Sequence, residues 1–259
     1  MDARSALFDL YGDHLRARGG AAPIAALIRL AASLDIAAPA VRTAVSRMVR
    51  QDWLVPARLG SAPGYALTPR AVRRIDAAAQ RIYRSQEQDW DGSWHVLVVG
   101  AVAGRTARER LRAGLAFLGY GALEGGTWVS PRASAEVGSV LDAARTQAES
   151  FTARHDGDPA SLVRRAWDLD ALAASYRTWL TEAVSLLEPA PSDDEAAFAA
   201  RSRLVHEWRK FLFRDPGLPR ALLPTRWPGA EAAAFFDEHA GALQPAASRF
   251  VARVLTECG

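Results

Sequence analysis

Hydrogen-bond donors are concentrated in the segment VRTAVSRMVRQ, residues 41–51. An arginine can donate two hydrogen bonds to O6 and N7 of guanine, and a hydroxyl can bond to a phosphate or a base edge. Helical spacing places the polar residues on one side and the apolar residues on the other. The polar front comprises Arg42, Thr43, Ser46, Arg47 and Arg50, and the apolar back comprises Val41, Ala44, Val45 and Met48. The segment alone fits a helix in a DNA groove or an ordinary helix with a solvated arginine face.

The elements before this segment are predicted to be helices. Apolar residues at helical spacing over residues 7–15 predict a first helix, which Gly19 and Gly20 end. Pro23 opens a second helix and Pro39 a third, since proline is favoured in the first helical turn. Two helices joined by a brief connection form a helix-turn-helix.

The segment after the third helix predicts a β-hairpin, or wing. Two β-prone pieces, Trp53–Ala57 and Gly64–Leu67, flank a stretch of turn residues. Arg58 near the tip and Tyr65 are expected to reach phosphates or the minor groove. Thr68 then caps a long helix predicted over residues 69–84. The wing favours DNA binding over a solvated helix face.

The charge distribution points to the same part of the chain. Residues 1–85 contain 13 Arg and 6 Asp, a net charge of +7, whereas the remaining 174 residues have a net charge of −4. A basic excess confined to one region suggests a polyanionic partner for that region. Cys258 is the only cysteine, which excludes an internal disulfide and a cysteine-based zinc site. With no apolar run of membrane-spanning length and no signal peptide, we expect a cytoplasmic protein without membrane contact.

The middle of the chain predicts a small α/β domain. Its expected elements, in order, are a strand over 94–102, a helix over 105–118, a hairpin over 121–130, a helix over 133–148 and a strand over 150–156. The order βαββαβ describes a ferredoxin-like unit. Nucleases of this fold bind a metal through an Asp after the first strand, but VVGAVAGR has no carboxylate there. GALEGG has too few glycines for a dinucleotide site, so we expect a role in dimerisation or domain coupling.

The last part of the chain predicts helices around a proline-rich loop. Expected helices cover residues 170–187, about 192–213 and 228–255. Six residues near the loop are candidates for binding an acyl-CoA through its phosphates and acyl group: His206, Trp208, Arg209, Phe211, Arg214 and Trp227. The alternative is that the aromatic residues are core packing and the arginines pair with Asp215 or Glu207.

Catalytic and metal-binding patterns are weak in the same region. A zinc-protease motif would need a second histidine where Lys210 stands. The five histidines are scattered, so their spacing indicates no metal site, and no Ser/His/Asp arrangement is evident.

Several phrases in order resemble the phenylacetate-repressor (PaaX) family of bacterial transcriptional regulators. They are LFDLYGDHLRARGG, LIRL, VRTAVSRMVRQDWL, GYALTPRAVRRID and RIYRSQEQDWDGSWHVLVV, followed near the other end by LVHEWRKFLFRDPGLPRALLPTRWPG. The resemblance implies a homodimeric repressor that binds an inverted-repeat operator in double-stranded DNA. It also implies release by a small effector, which is phenylacetyl-CoA in the type member. Fold-level similarity does not transfer the effector itself.

The sequence as a whole predicts an α+β, multi-domain transcriptional regulator, and the resemblance implies a role such as the control of phenylacetate catabolism. Residues 1–85 are expected to form a winged helix-turn-helix with a linker helix, 86–170 a ferredoxin-like domain, and 171–259 a helical effector and dimerisation domain. We expect no enzymatic activity and no cofactor, and an aryl- or acyl-CoA thioester as effector. Two alternatives stay open: a constitutive DNA-binding protein without ligand sensing, and a small enzyme with an appended DNA-binding head.

Overall fold

The computed structural model describes residues 1–82 and 89–259 as an α+β fold with two antiparallel sheets. The described residues form two compact units. Unit 1 draws on Met1–Ser85, Thr178–Arg209 and Ala230–Gly259, and unit 2 on Gln86–Arg177 and Lys210–Gly229. Residues of the predicted third domain, 171–259, thus occur in both units, and the predicted boundary at 85 and 86 lies outside the described residues. The three-domain division stays a prediction.

Unit 1 begins with the helices that the sequence predicts. They are α1 (Ala3–Asp9), continued by a π-helical turn (Leu10–Leu15) and a 3-10 turn (Arg16–Arg18), then α2 (Ile24–Ala32) and α3 (Ala38–Arg50). Gly19 ends the first run at a φ of 88°, a left-handed conformation that glycine adopts without strain. Pro39 lies in the first turn of α3, where its missing N–H has no helical partner to lose.

A three-stranded sheet follows α3 in unit 1. Its strands are β1 (Ala21–Pro23), β2 (Leu54–Leu59) and β3 (Ala62–Leu67), in the order β1-β3-β2, and all neighbours are antiparallel. The hairpin between β2 and β3 is longer than predicted, because pairing extends to Leu59 and Ala62. Helix α4 (Pro69–Ile82) comes next. Residues 83 and 84, which were predicted to continue this helix, lie outside the described residues.

The core of unit 1 combines the two ends of the chain. Leu7, Leu10 and Tyr11 are fully buried in it, together with residues of α2 and α3. Two further helices, α9 and α10 with the bounds given below, complete this core through Phe198 and Phe250, whose rings lie 5.2 Å apart. Burial of these apolar faces is the physical reason why much of the predicted third domain belongs to unit 1.

Unit 2 contains the second sheet. Its elements are β4 (Ser93–Val99), α5 (Arg105–Phe117), β5 (Gly121–Ala122), β6 (Thr127–Ser130), α6 (Val137–Ala144), β7 (Ala148–Arg154) and α7 (Pro159–Ala166). The first six follow the predicted order βαββαβ, and the sheet order is β5-β6-β4-β7. Helix α6 is shorter than predicted because Arg145 adopts a left-handed conformation, with φ at 53°, and ends it.

The sheet of unit 2 has an apolar core on each face. Leu97 and Trp128 pack with residues of α5 on one face, and Trp94 and Val129 pack with residues of α7 on the other. Helix α7 is an additional element that was not predicted from the sequence, and Asp158 caps it by accepting hydrogen bonds from the backbone N–H groups of Ala160 and Ser161.

Three long helices come from the last third of the chain. They are α8 (Leu169–Leu186), α9 (Asp194–Trp208) and α10 (Pro228–Glu257), with 3-10 turns at Arg209–Phe213 and Arg220–Leu222. Asp193 caps α9 by accepting a hydrogen bond from the N–H of Ala196. In the part of the chain that the structure describes, no helix is long and apolar enough to cross a membrane.

Candidate nucleic-acid interface

Helix α3 has one buried face and one exposed face, as its sequence predicts. Val41 and Met48 are fully buried, and Ala44 and Val45 are almost so. All five residues of the predicted front are exposed: Arg42, Thr43, Ser46, Arg47 and Arg50. No acidic residue occurs between Ala38 and Arg50. The front of α3 is therefore a purely cationic and hydroxyl-bearing surface.

Two hydrogen bonds order side chains on this front. Thr43 donates from Oγ1 to the carbonyl of Pro39 at 2.9 Å, and Arg50 donates to Oγ of Ser46 at 2.9 Å. Arg42 and Arg47 have no carboxylate within ion-pair distance among the described residues. Both guanidinium groups can thus offer their donors to an external acceptor.

The base of the hairpin holds α3 in place. Trp53, which follows α3, packs edge-on against Phe8 of α1 with ring centroids 4.6 Å apart. Thr68 donates to the carbonyl of Asp52 at 2.8 Å and accepts from the N–H of Ala71 at 3.2 Å. These contacts join the end of α3, the hairpin and the start of α4 into one support.

The hairpin presents Arg58 next to its turn. Gly60 and Ser61 form the two-residue turn, and Gly60 has a φ of 62°, which two-residue hairpin turns require at this position. Arg58 is exposed and donates to the carbonyl of Ser61 at 3.4 Å. Its charge therefore lies beside the tip, where the sequence analysis expects it.

Tyr65 occupies a different place from Arg58. It is half-buried on β3, the central strand, and packs against the core of unit 1. Its carbonyl accepts a hydrogen bond from the hydroxyl of the buried Tyr11 at 2.9 Å. Tyr65 therefore supports the hairpin from below, away from the tip.

The six predicted effector residues are divided between the two units, three in each. In unit 1, His206 and Arg209 both contact the buried carboxylate of Asp9, the histidine through Nδ1 at 2.8 Å. Trp208 is buried and stacks on Phe236 with ring centroids 4.9 Å apart. His206 and Arg209 therefore hold the end of α9 and its following turn against α1, whereas Trp208 packs α9 against α10. The partner of Arg209 is thus Asp9, and neither predicted alternative, Glu207 nor Asp215, takes that place.

The other three predicted effector residues are in unit 2. Phe211 is buried and stacks on Tyr176 with ring centroids 4.1 Å apart, and Trp227 packs edge-on against the same ring at 6.0 Å. The hydroxyl of Tyr176 donates to Asp215. Arg214 is exposed. The aromatic residues therefore pack as the alternative prediction has it, whereas Arg214 and part of Trp227 face solvent.

Unit 1 also contains a buried polar cluster that was not predicted from the sequence. The π-helical turn Leu10–Leu15 directs Asp13 and His14 onto α9. Arg201 forms a bidentate ion pair with Asp13, with N···O distances of 2.7 and 2.8 Å. It also donates a hydrogen bond to the carbonyl of Ala240. His14 lies 3.1 Å from the hydroxyl of Ser202. Burial lowers the pKa of His14 to about 4, although the neighbouring Asp13 opposes the shift.

No local sequence pattern could have predicted this polar cluster, because 188 residues separate Asp13 from Arg201. For the same reason, a metal site formed by residues far apart in sequence could not be predicted from their spacing. Among the described residues, no group of three or more His, Cys, Asp or Glu side chains is placed to hold a metal ion.

Comparisons with known proteins cover almost the whole chain. Three family models match in order: a PaaX-like protein model over residues 2–71, a PaaX protein central Cas2-like domain over residues 87–163, and a PaaX-like protein C-terminal domain over residues 167–253. These matches fall on the segments from which the sequence resemblance was drawn.

Two individual proteins are similar over most of their length. The chain is 30% identical to the transcriptional repressor PaaX of Escherichia coli K12, over 97% of this chain and 83% of that protein. Among solved structures, it is similar to the uncharacterized protein Rv0674 from Mycobacterium tuberculosis, with a TM-score of 0.64 and 28% identity. That match covers 95% of this chain and 97% of the other.

Proposed function

The chain belongs to the PaaX family, and we propose that it is a homodimeric transcriptional repressor that binds an inverted-repeat operator and leaves it when a small effector binds. The observation that carries this proposal is the front of α3, where five exposed polar residues stand on a helix without a single acidic residue. The named relative is a transcriptional repressor.

We propose that unit 1 contains a winged helix-turn-helix, with α3 as the recognition helix and β2–β3 as the wing. In that arrangement α3 lies in the major groove and its side chains contact base edges. Arg42 and Arg47 are suited to bidentate contacts with guanine, because no carboxylate competes for them among the described residues. Thr43 already donates its proton to the helix backbone, so it can act towards DNA only as an acceptor or through its methyl group.

The wing would add contacts to the sugar–phosphate backbone or the minor groove. Arg58 is placed for this role by its exposure beside the hairpin turn. Tyr65 was grouped with it from the sequence, but its half-buried ring packs on the core. We therefore assign Tyr65 an indirect part, in which it sets the position of the hairpin.

For the homodimer we propose that the ferredoxin-like sheet of unit 2 pairs with its copy. Strand β7 is an edge strand of this sheet, residues 149–154 are exposed, and Phe151 exposes 52% of its surface. An exposed outer strand is a template for pairing with another strand. In an antiparallel pair related by a two-fold axis, the two Phe151 rings would meet. Phe151→Glu should then shift the protein from dimer to monomer in sedimentation velocity, and an unchanged dimer would contradict this interface.

The dimer would set the spacing of the two recognition helices. Half-sites must lie about 34 Å apart, one turn of DNA, or a multiple of it. A ligand that binds the non-matching arrangement more tightly by a few kcal/mol would release the DNA. We propose α4 as the element that transmits this change, since it follows the wing directly.

The effector that we propose is an aryl- or acyl-CoA thioester, and its support is the family resemblance. Arg214 and Trp227 keep exposed surface and are the contact residues that we favour. The other four candidates would have to exchange their present partners, which for His206 and Arg209 include Asp9. Titration of the DNA complex with a panel of CoA thioesters tests this point. Unchanged operator affinity across the panel would favour a constitutive DNA-binding protein.

The experiment that tests the function is replacement of Arg42, Arg47 and Arg50 by alanine. Each bidentate arginine–guanine contact contributes about 1–3 kcal/mol, so the triple variant should lose several kcal/mol of operator affinity. Its affinity should also depend less on salt, because fewer counterions are released. A folded variant that binds the operator with wild-type affinity and salt slope would show that α3 is not the recognition helix.

A further inference from the structure

Two sets of arginines in unit 1 differ in their partners. In α9, its following turn and α10, each arginine meets a carboxylate: Arg201 with Asp13, Arg203 with Asp35, Arg209 with Asp9, and Arg249 and Arg253 with Asp194. On α3, the hairpin and α4, no arginine side chain that the structure describes has a carboxylate within ion-pair distance. The second group comprises Arg42, Arg47, Arg50, Arg58, Arg70, Arg73 and Arg74. Three of these seven are on α4, outside the proposed recognition helix and wing.

The three arginines of α4 share one face of the helix. Arg70, Arg73 and Arg74 are exposed, and their spacing of three and four residues places them within one turn of each other. The opposite face holds Ala71 and Ile75, which are buried in the core of unit 1. Burial of that face fixes the direction in which the guanidinium groups point, which is away from the core.

Nothing on α4 itself compensates this charge. Asp76 is the only acidic residue of the helix, and it pairs with Arg16 at 3.0 Å. Like charges three and four residues apart on a helix destabilise it slightly. A surface that combines three such charges with no carboxylate is matched by a partner with closely spaced negative charges, and a DNA backbone has one charge per about 1.7 Å of duplex.

Position in the chain links this face to the proposed DNA-binding elements. Helix α4 starts two residues after β3, and Thr68 fixes its first turn to Asp52 beyond the end of α3. The face is thus built on the same support as α3 and the hairpin. Arginine side chains commonly bind phosphate oxygens. In the proposed arrangement α3 occupies the major groove, so the arginines of α4 are expected to meet phosphates rather than base edges.

We infer that Arg70, Arg73 and Arg74 form a second DNA-contacting surface, which binds phosphates and does not distinguish sequences. This inference rests on the proposed function of α3. The arginines contribute to the affinity for any duplex, and the front of α3 supplies the preference for the operator. Helix α4 is therefore part of the DNA-binding surface as well as a connection towards unit 2.

The test compares two triple variants of the full-length protein with equal loss of charge. One is Arg70→Gln/Arg73→Gln/Arg74→Gln. The matched control is Arg29→Gln/Arg249→Gln/Arg253→Gln, whose arginines face Glu257 and Asp194. Binding is measured by fluorescence anisotropy over a series of salt concentrations. The probes are a duplex that the wild-type protein selects from a random-sequence pool and a scrambled duplex of equal length.

We expect the α4 variant to lose roughly tenfold or more in affinity for both duplexes, with their affinity ratio unchanged. The slope of log affinity against log salt should fall by about 2 to 3, because each phosphate contact accounts for about 0.9. The control variant should keep the wild-type slope. Circular dichroism of the α4 variant should match wild type, since the replaced side chains are exposed.

Three results would overturn the inference. In the first, the α4 variant binds like wild type while Arg42→Ala/Arg47→Ala/Arg50→Ala abolishes binding, which leaves the proposed function intact. In the second, the control variant loses as much affinity as the α4 variant, so net charge alone explains the effect. In the third, the α4 variant changes its sedimentation coefficient and binds DNA normally, which makes the partner a protein surface. If wild-type protein selects no duplex at all, the proposed function fails together with the inference.

Discussion

Helix α3 carries three arginines and helix α9 carries two, and the two sets have different surroundings. On α3, Arg42, Arg47 and Arg50 are exposed and no acidic residue shares the helix. Arg201, on α9, is 3% exposed and forms a bidentate ion pair with Asp13. The residue type is the same, so the difference lies entirely in the carboxylates that the fold brings to each site.

The comparison separates two tasks of arginine in one protein. A buried guanidinium that has lost its water must be paired, because an uncompensated buried charge is strongly unfavourable. An exposed guanidinium stays hydrated, and its donors are available to an incoming anion. The buried Arg201 of α9 therefore helps to determine how the two ends of the chain pack together, and the exposed arginines of α3 and α4 are left for a partner.

The side chain of Arg201 connects three elements, namely α9, the π-helical turn and α10. Its guanidinium binds Asp13 of the π-helical turn and the carbonyl of Ala240 in α10. Pro245, one turn further on, interrupts the hydrogen bonding of α10 because it has no N–H. Arg201 thus supplies a donor next to a weakened stretch of helix and connects it with the N-terminal part of unit 1.

The largest expected effect comes from exchanging arginine for leucine once in each set. Arg201→Leu should lower the free energy of unfolding by about 3–5 kcal/mol, because Asp13 stays buried without its counter-charge. Arg47→Leu should change it by less than about 0.5 kcal/mol, because that side chain is exposed and has no ion-pair partner. Urea unfolding followed by circular dichroism measures both. Equal effects would remove the distinction between the two sets.

A double variant sharpens this result. In Asp13→Asn/Arg201→Leu the uncompensated charge is absent, so the double variant should be more stable than Arg201→Leu alone. A double variant that is less stable than the single one would mean that packing, and not the buried charge, sets the cost.

The second prediction concerns the pH dependence of stability and involves only the buried residues around Arg201. His14 faces Asp13, Arg201 and Arg18, and its pKa in the folded protein is about 4 compared with 6.5 in its ordinary state. Above pH 6.5 it is neutral in both states, whereas between pH 6.5 and 4 only the unfolded chain takes up the proton. Stability should therefore fall over this range as pH is lowered, by about 3 kcal/mol in total from this residue.

His14→Gln is the matched variant, since glutamine cannot titrate but can still bond to Ser202. Unfolding free energies of both proteins are compared at pH 7 and pH 4. Wild type should lose about 3 kcal/mol more than the variant. Parallel losses in the two proteins would show that His14 is not the titrating group.

The third prediction concerns the exposed set. Arg47→Gln should weaken operator binding by about 1–3 kcal/mol and relax the preference at one base pair of each half-site, with the melting temperature unchanged. Arg29→Gln, an exposed arginine that faces Glu257, provides the control and should bind normally. Loss of binding without loss of base preference would reassign Arg47 to a phosphate contact.

The exposed front of α3 could be predicted from the sequence, whereas the buried pair of Asp13 and Arg201 could not, for a physical reason. The two faces of α3 follow from the helical period within thirteen residues, and the βαββαβ order of unit 2 follows from short apolar runs bounded by turn residues. Asp13 and Arg201 are 188 residues apart, and their pairing depends on how α9 packs against α1. No local pattern records that packing.

The effector candidates illustrate the same limit. They were grouped because they are close in sequence, between His206 and Trp227. Neighbouring positions on a helix point in different directions, so Trp208 enters the core beside Phe236 while His206 and Arg209 contact Asp9. Asp158 followed by Pro159 is a signal for the start of a helix. The short helix α7 was nevertheless not predicted, because the stretch that follows has few apolar residues to show a helical period.

The smallest expected effect comes from the pair of Arg203 with Asp35, whose N···O distance of 2.7 Å equals that of Arg201 with Asp13. The side chains of Arg203 and Asp35 are 43% and 87% exposed, so water screens their attraction. A double-mutant cycle with Arg203→Gln and Asp35→Asn should give a coupling of about 0.2–1 kcal/mol. The corresponding cycle with Arg201→Leu and Asp13→Asn should give a larger coupling, because both groups are buried. If the two cycles agree, distance alone determines the strength of these pairs, and burial could no longer explain why Arg201 must be paired while the arginines of α3 and α4 are not.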